Sequence, residues 1–175
     1  MSTARKNILV AGGAGYIGTH TVLTLLENGY DITVVDNLIN ASNEGVRRVQ
    51  QLVGVDDSRV RIFNIDLCNK EELEKVFQDS PTFSSCIHFA GLKAVGESVQ
   101  KPLLYYENNI GGTLNLVNLL EKYGCNSVIF SSSATVRHNL PLSHHRHFIF
   151  NSTFICNRCM ALRRCRSQKR RPQAT

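Results

Sequence analysis

The feature that most constrains this chain is the run AGGAGYIG, in which Gly12, Gly15 and Gly18 recur at every third residue directly after the apolar stretch NILVA. A strand, a glycine turn and a helix in that order open a βαβ unit, because parallel strands need a crossover between them. Glycine permits the tight turn and a close backbone approach to a pyrophosphate, and the first N–H groups of the following helix then face the phosphate oxygens. Glycine-rich turns also arise for purely structural reasons, so the residues downstream decide what this one means.

Downstream, strand-like and helical runs alternate, which predicts a doubly wound parallel α/β sheet of Rossmann type. Strands are expected over Asn7–Ala11, Asp31–Val35, Val60–Asn64, Ser85–Ala90 and Ser127–Ser131, with the first helix ending at Gly29. Asn69 and Glu72 have the spacing of a capping box before KEELEKVF. A long helix is expected after Pro102, burying a wide face made of Ile110, Leu114 and Val117 with an adjoining row of Leu116, Leu120 and Tyr123, and closed by Gly124. Asp36 ends the second strand, 18 positions after Gly18, where a carboxylate can accept hydrogen bonds from an adenosine ribose and repel a 2′-phosphate. Together these elements predict dinucleotide binding, with NAD preferred over NADP.

Size and charge set further bounds. At 175 residues the chain holds one core of ordinary size. Residues 1–136 carry 11 Lys and Arg against all 14 Asp and Glu, whereas residues 137–175 carry 9 basic residues and no acid, so the formal charge of +6 belongs to the tail. No apolar run reaches the length of a membrane span, and the start MSTARKN lacks the apolar core of a secretory signal. With six cysteines showing no scaffold spacing, a cytoplasmic, reducing setting is expected.

Two longer blocks carry a more specific signal. HFAGLKAVGESVQKPLLYYENNIGGTLNL (His88 to Leu116) and FSSSATV (Phe130 to Val136) closely resemble the UDP-glucose 4-epimerase family, also called UDP-galactose 4-epimerase, of the extended short-chain dehydrogenases/reductases. The resemblance runs from about Asn7 to Val136 and implies NAD as cofactor and a UDP-hexose as substrate. It implies Tyr16 and Ile17 on the pyrophosphate, Asp36 and Asn37 on the adenosine ribose, and Asp66 with Leu67 beside the adenine. It further implies that Phe89, Ala90, Gly91 and Lys93 line the cofactor, that Asn108 lies near its nicotinamide half, and that Ser133 hydrogen-bonds the reacting sugar hydroxyl. A homodimer is possible by the same resemblance.

The implied reaction removes a hydride from the fourth carbon of the hexose and returns it to the opposite face. It needs a base for the hydroxyl proton, since hydride loss from a neutral alcohol leaves positive charge on carbon. The family supplies a tyrosine with a lysine four positions later, which lowers the tyrosine pKa. None of Tyr16, Tyr30, Tyr105, Tyr106 or Tyr123 has lysine at that spacing, and Arg137-His138 stands where the family has Tyr-Gly. The epimerase reading therefore comes with the expectation that this chain by itself is inactive.

The change of character at residue 137 is what a shifted frame, a retained intron or a gene-model artefact produces, and residues 137–175 are expected to be unrelated to the family and disordered or artefactual. Cys156 and Cys159 form C-x-x-C without a second paired motif, so no metal site is expected. The run RRCRSQKRRP is the only feature that favours nucleic acid, and a basic tail on any soluble protein looks the same. The alternatives are another nucleotide-sugar epimerase of the family, or a non-catalytic protein that binds NAD or nucleic acid. With its neighbour missing, the Ser127–Ser131 strand becomes an edge; FIFNSTFIC could pair with it, but is expected more often to recruit other chains, since nothing supplies the crossover for a parallel partner.

Overall fold

A computed structural model describes residues 5–132 and the backbone of 153–157. The sheet grows around β1 (Asn7–Ala11), which is buried along its whole length between two parallel neighbours, β2 (Asp31–Asp36) and β4 (Phe83–His88). Successive side chains of a strand point to opposite faces. Ile8 and Val10 accordingly enter one core with Val22, Leu26, Val34 and Val46, while Leu9 and Ala11 enter the other with Leu73, Phe77, Leu116 and Leu120. A strand buried on both sides has no polar alternation, which is why NILVA is a continuous apolar run.

The first core is covered by α1 (Tyr16–Glu27) and α2 (Asn43–Val53), and the second by α3 (Lys70–Asp79) and α6 (Gly112–Lys122). With β3 (Val60–Asn64) and β5 (Ser127–Ser131) the parallel order is β3-β2-β1-β4-β5, the doubly wound arrangement expected from the sequence. The chain reverses direction across β1, so the loops after β1 and β4 face each other at one end of the sheet, where ligands of such folds bind.

Four differences from the expected elements have physical causes. The helix α2 is not among those elements; Ser42 starts it by accepting the Glu44 N–H, and Gly54 ends it with φ 71°. The strand β4 stops at His88 because the Phe89 and Ala90 N–H groups both turn to the Ala11 carbonyl, at 2.8 and 3.1 Å. The α3 cap is one-sided: Asn69 Oδ1 accepts the Glu72 N–H at 3.3 Å, while the Asn69 N–H goes to the Asp66 carbonyl instead of the Glu72 side chain.

The fourth concerns the long helix. Two short helices, α4 (Val95–Gln100) and α5 (Pro102–Tyr106), come first, and a π turn over Glu107–Gly111 precedes α6. The π turn inserts an extra residue and resets the helical phase. Leu116, Leu119 and Leu120 therefore face the sheet, Gly112 packs against Leu67, and Ile110 and Leu114 are exposed, contrary to the row read from the sequence. Gly124 follows the helix at φ 76°, as a left-handed cap.

A sixth strand, β6 (Thr153–Asn157), pairs antiparallel with β5, from Ser127 opposite Asn157 to Ser131 opposite Thr153. It comes from the tail expected to be unrelated to the fold. An antiparallel partner needs no crossover helix, the element whose absence argued against pairing. Ser133, Arg137 and the remainder of the tail lie outside the described residues.

Candidate functional site

The loop after β1 is shaped by contacts that only glycine allows. Gly12 has φ 77° and donates its N–H to the Val35 carbonyl at 2.8 Å. A Cβ on Gly12 would lie 2.5 Å from the Ala90 nitrogen, and one on Gly18 would lie 2.4 Å from the Gly12 carbonyl oxygen. The first glycine thus lets the loop after β4 come down on the turn, and the third lets α1 pack directly against it. Gly15 differs: the nearest atom to an added Cβ is the Gly12 oxygen at 3.5 Å, so that side of the turn is open. Gly15 is also the N-cap of α1 and supplies no side chain to its first N–H groups, and the first turn has no acidic residue. Those donors are free to meet an anion.

Asp36 ties the loop to β2. One carboxylate oxygen accepts the Ala14 N–H at 3.1 Å and the other the Leu38 N–H at 3.0 Å, and the side chain is nearly buried. The second bond holds Leu38 at φ 58°, a conformation rare for a bulky residue. Leu38 also packs on the first core, and this contact helps to keep the Asp36–Leu38 turn in place.

Asp66, just beyond β3, lies beside Asn37, whose Nδ2 donates to it at 3.0 Å, while the Cys68 N–H donates to its other oxygen at 2.8 Å. Burial pushes the Asp66 carboxyl up, but the Cys68 N–H and the Asn37 amide outweigh it and hold the group below its ordinary value. Both carboxylates are therefore oriented before any ligand arrives.

The opposite wall follows β4. Asn109, in the π turn, accepts the Leu92 N–H at 2.8 Å and donates Nδ2 to the Leu92 carbonyl at 2.9 Å, making a two-bond clamp on this loop. Asn108 Nδ2 donates to the same Asn109 oxygen at 2.9 Å. Lys93 is exposed on the loop and forms no ion pair among the described residues.

One groove gathers most of the residues named from the sequence. Gly12, Gly15, Asp36 and Asn37 line it on one side, with Asp66 and Leu67 at one end and Phe89, Ala90, Gly91, Lys93 and Asn108 on the far wall. Three do not line it. Gly18 is buried under the turn, and Tyr16 and Ile17 are exposed on an adjoining face of α1 with His20 and Thr21. Ser133 falls outside the described residues. Sequence reasoning missed Ile39, Asn40 and Leu92 in the lining and, above all, Asn109 as the clamp. Adjacent asparagines are poor helix formers that compete for backbone hydrogen bonds, but that signal names neither Asn109 as the clamp nor Leu92 as its partner.

The residues fit a dinucleotide: an open glycine turn, an uncapped helix start and two fixed carboxylates stand along one groove. Comparison with known proteins agrees. Over 131 residues the chain is 55% identical to UDP-glucose 4-epimerase 2 of Arabidopsis thaliana, covering 75% of this chain and 37% of that protein. It is 54% identical to the bifunctional UDP-glucose 4-epimerase and UDP-xylose 4-epimerase 3 of the same plant, over 77% of this chain and 38% of that one. The solved UDP-glucose 4-epimerase of Bifidobacterium longum, in complex with NAD+ and UDP, superposes with TM-score 0.70 and 46% identity, over 75% of this chain and 38% of that one. The chain thus spans well under half the length of the relatives it matches. The family model that matches, over residues 8–145, is the one for epimerases, and the chain belongs to the NAD dependent epimerase/dehydratase family.

Proposed function

We propose that this chain is the cofactor-binding part of a UDP-glucose 4-epimerase that uses NAD. The reading is carried by one observation: the glycine turn, Asp36, Asp66 and the Gly91–Lys93 wall line a single groove at the end of the sheet. In this reading the turn and the first N–H groups of α1, with Tyr16 and Ile17, hold the pyrophosphate. Asp36 and Asn37 hold the adenosine ribose, and Asp66 and Leu67 flank the adenine. Phe89, Ala90, Gly91 and Lys93 cover the cofactor, and Asn108 lies toward its nicotinamide half. NAD, when bound, would take up the hydride from the sugar and return it. The bonds that Asp36 receives from Ala14 and Leu38 support the choice of NAD over NADP, because a carboxylate fixed in this way cannot turn aside from a 2′-phosphate.

Interconversion of UDP-glucose and UDP-galactose is proposed for the whole protein, with Ser133 on the reacting hydroxyl. A second nucleotide-sugar, UDP-xylose, is favoured by the 54% identical relative, a bifunctional UDP-glucose and UDP-xylose 4-epimerase. The exposed apolar side chains Val95, Val99, Leu103, Ile110 and Leu114 on neighbouring helices support a homodimer. A cytoplasmic setting is proposed; among the described residues no helix is long and apolar enough to cross a membrane, and Cys68, Cys86 and Cys125 are free thiols. A coupled assay of UDP-galactose turnover tests the catalytic part. Without a Tyr-x-x-x-Lys base the 175-residue chain should run about a hundredfold to ten-thousandfold below such a relative. Turnover at the relative's rate would sink the assignment of the base.

A further inference from the structure

The wall of the groove formed by Gly91–Lys93 belongs to no strand, and its register depends on the Asn109 clamp. Asn109 is itself held. Its backbone carbonyl accepts the Thr113 hydroxyl at 2.6 Å, and the same hydroxyl oxygen lies 2.8 Å from His88 Nε2. A hydroxyl has a single proton, and the short bond to the Asn109 carbonyl uses it, because a carbonyl has none to give. Toward His88 the Thr113 oxygen can therefore only accept. His88 must carry its proton on Nε2, which leaves Nδ1 as a bare lone pair.

The surroundings agree with a neutral ring. His88 is 2% exposed, Nδ1 has no hydrogen-bond partner among the described residues, and the Phe130 ring meets the imidazole edge-on at 5.2 Å. Burial pushes the imidazole down to about 4. Among the described residues the neutral ring therefore makes one hydrogen bond, and it is the one to Thr113.

We propose that His88 is a positioning residue for the bound dinucleotide: through Thr113 and Asn109 it fixes Leu92, four residues further along its own loop. His88 ends β4, Phe89 and Ala90 cross to the Ala11 carbonyl, and the relay from His88 to Leu92 closes the loop from its outer side. The relay also secures the π turn, since Thr113 takes up the Asn109 carbonyl in the region where the helical bonds change register. The role in binding rests on the NAD reading above; the relay itself does not.

The test uses the full chain and three readouts. Nitrogen NMR of the unmutated protein should find His88 as the neutral tautomer protonated on Nε2. Without nucleotide, Thr113→Val should speed exchange of the Leu92 amide about tenfold, whereas Thr113→Ser, which restores the hydroxyl, should keep it slow. NAD affinity should follow the same order, falling about tenfold in Thr113→Val and recovering in Thr113→Ser. A proton on Nδ1, or equal Leu92 exchange in the two variants, would overturn the relay. If Thr113→Val does not fold, the tautomer in the unmutated chain decides the matter: a proton on Nε2 supports the relay and one on Nδ1 overturns it. If the unmutated chain fails to bind NAD while the tautomer and exchange come out as stated, the functional reading fails and the relay stands.

Discussion

The Asp36 carboxylate accepts the Ala14 N–H at 3.1 Å, so the end of β2 holds the turn that follows β1. The residue expected to read a ribose is also a structural tie, and its two roles separate by substitution. Asp36→Ala leaves the Ala14 and Leu38 donors without their acceptor and should cost about 1–3 kcal/mol. It should also narrow the preference for NAD over NADP. Asp36→Asn keeps an acceptor but loses the charge, and should cost less stability for a similar loss of preference. Denaturant unfolding and nucleotide titration of both variants check this; full discrimination in Asp36→Asn would show that the charge is not the determinant.

The three glycines should behave differently. Gly18→Ala forces a methyl to 2.4 Å from the Gly12 oxygen and 2.6 Å from the Gly13 Cα, both backbone atoms that cannot step aside. It should destabilise the fold by about 1–3 kcal/mol or more. Gly15→Ala meets nothing closer than 3.5 Å, so its melting temperature should scarcely move while nucleotide binding falls. Gly15→Ala binding as well as the unmutated chain would show that no phosphate approaches there.

His88 gives the fold an acid dependence of known sign. Unfolded, the imidazole is protonated below its ordinary 6.5; folded, burial delays this to about 4. Between those values the unfolded chain binds more protons, so the His88 contribution is complete above 6.5 and is lost as pH falls toward about 4. The loss amounts to about 3 kcal/mol. Asp66, held below 3.8, keeps its contribution across the upper part of the His88 window and loses it at the acid end, as pH falls through its lowered folded value. Urea unfolding across that upper part should show the slope in the unmutated chain and a flatter one in His88→Gln; equal slopes would assign the titration to other groups.

The sequence disclosed the sheet more readily than its cover. β1, β3 and β5 lie where their runs predicted; β1 is buried on both faces and so reads as an unbroken apolar stretch, while β3 and β5 are only partly covered and were marked by their β-branched and aromatic residues. The helix after Pro102 was legible as a helix but not in its phase, since nothing in ENNIGG announces the extra residue of a π turn. Asp36 was legible from its place at the end of β2, whereas Asp66, two residues beyond β3, entered only through the family resemblance. Asn109 was not, because its role depends on a contact with Leu92, 17 positions earlier.

Pairing of β6 makes a prediction about the edge of the sheet. Thr153–Asn157 covers the outer backbone of Ser127–Ser131. Deleting residues 153–175 should expose that edge and increase self-association, measured by sedimentation. A shortened chain that is no more prone to associate would show that β6 does not protect β5.

Every role proposed for the groove requires that it hold NAD. Calorimetric titration of the unmutated chain with NAD and, separately, NADP tests it most directly. Saturable binding of NAD, with NADP at least about tenfold weaker, is the predicted result, since each tenfold step corresponds to about 1.4 kcal/mol of selective interaction. Equal affinity for the two cofactors, or binding of neither by a folded chain, would contradict it.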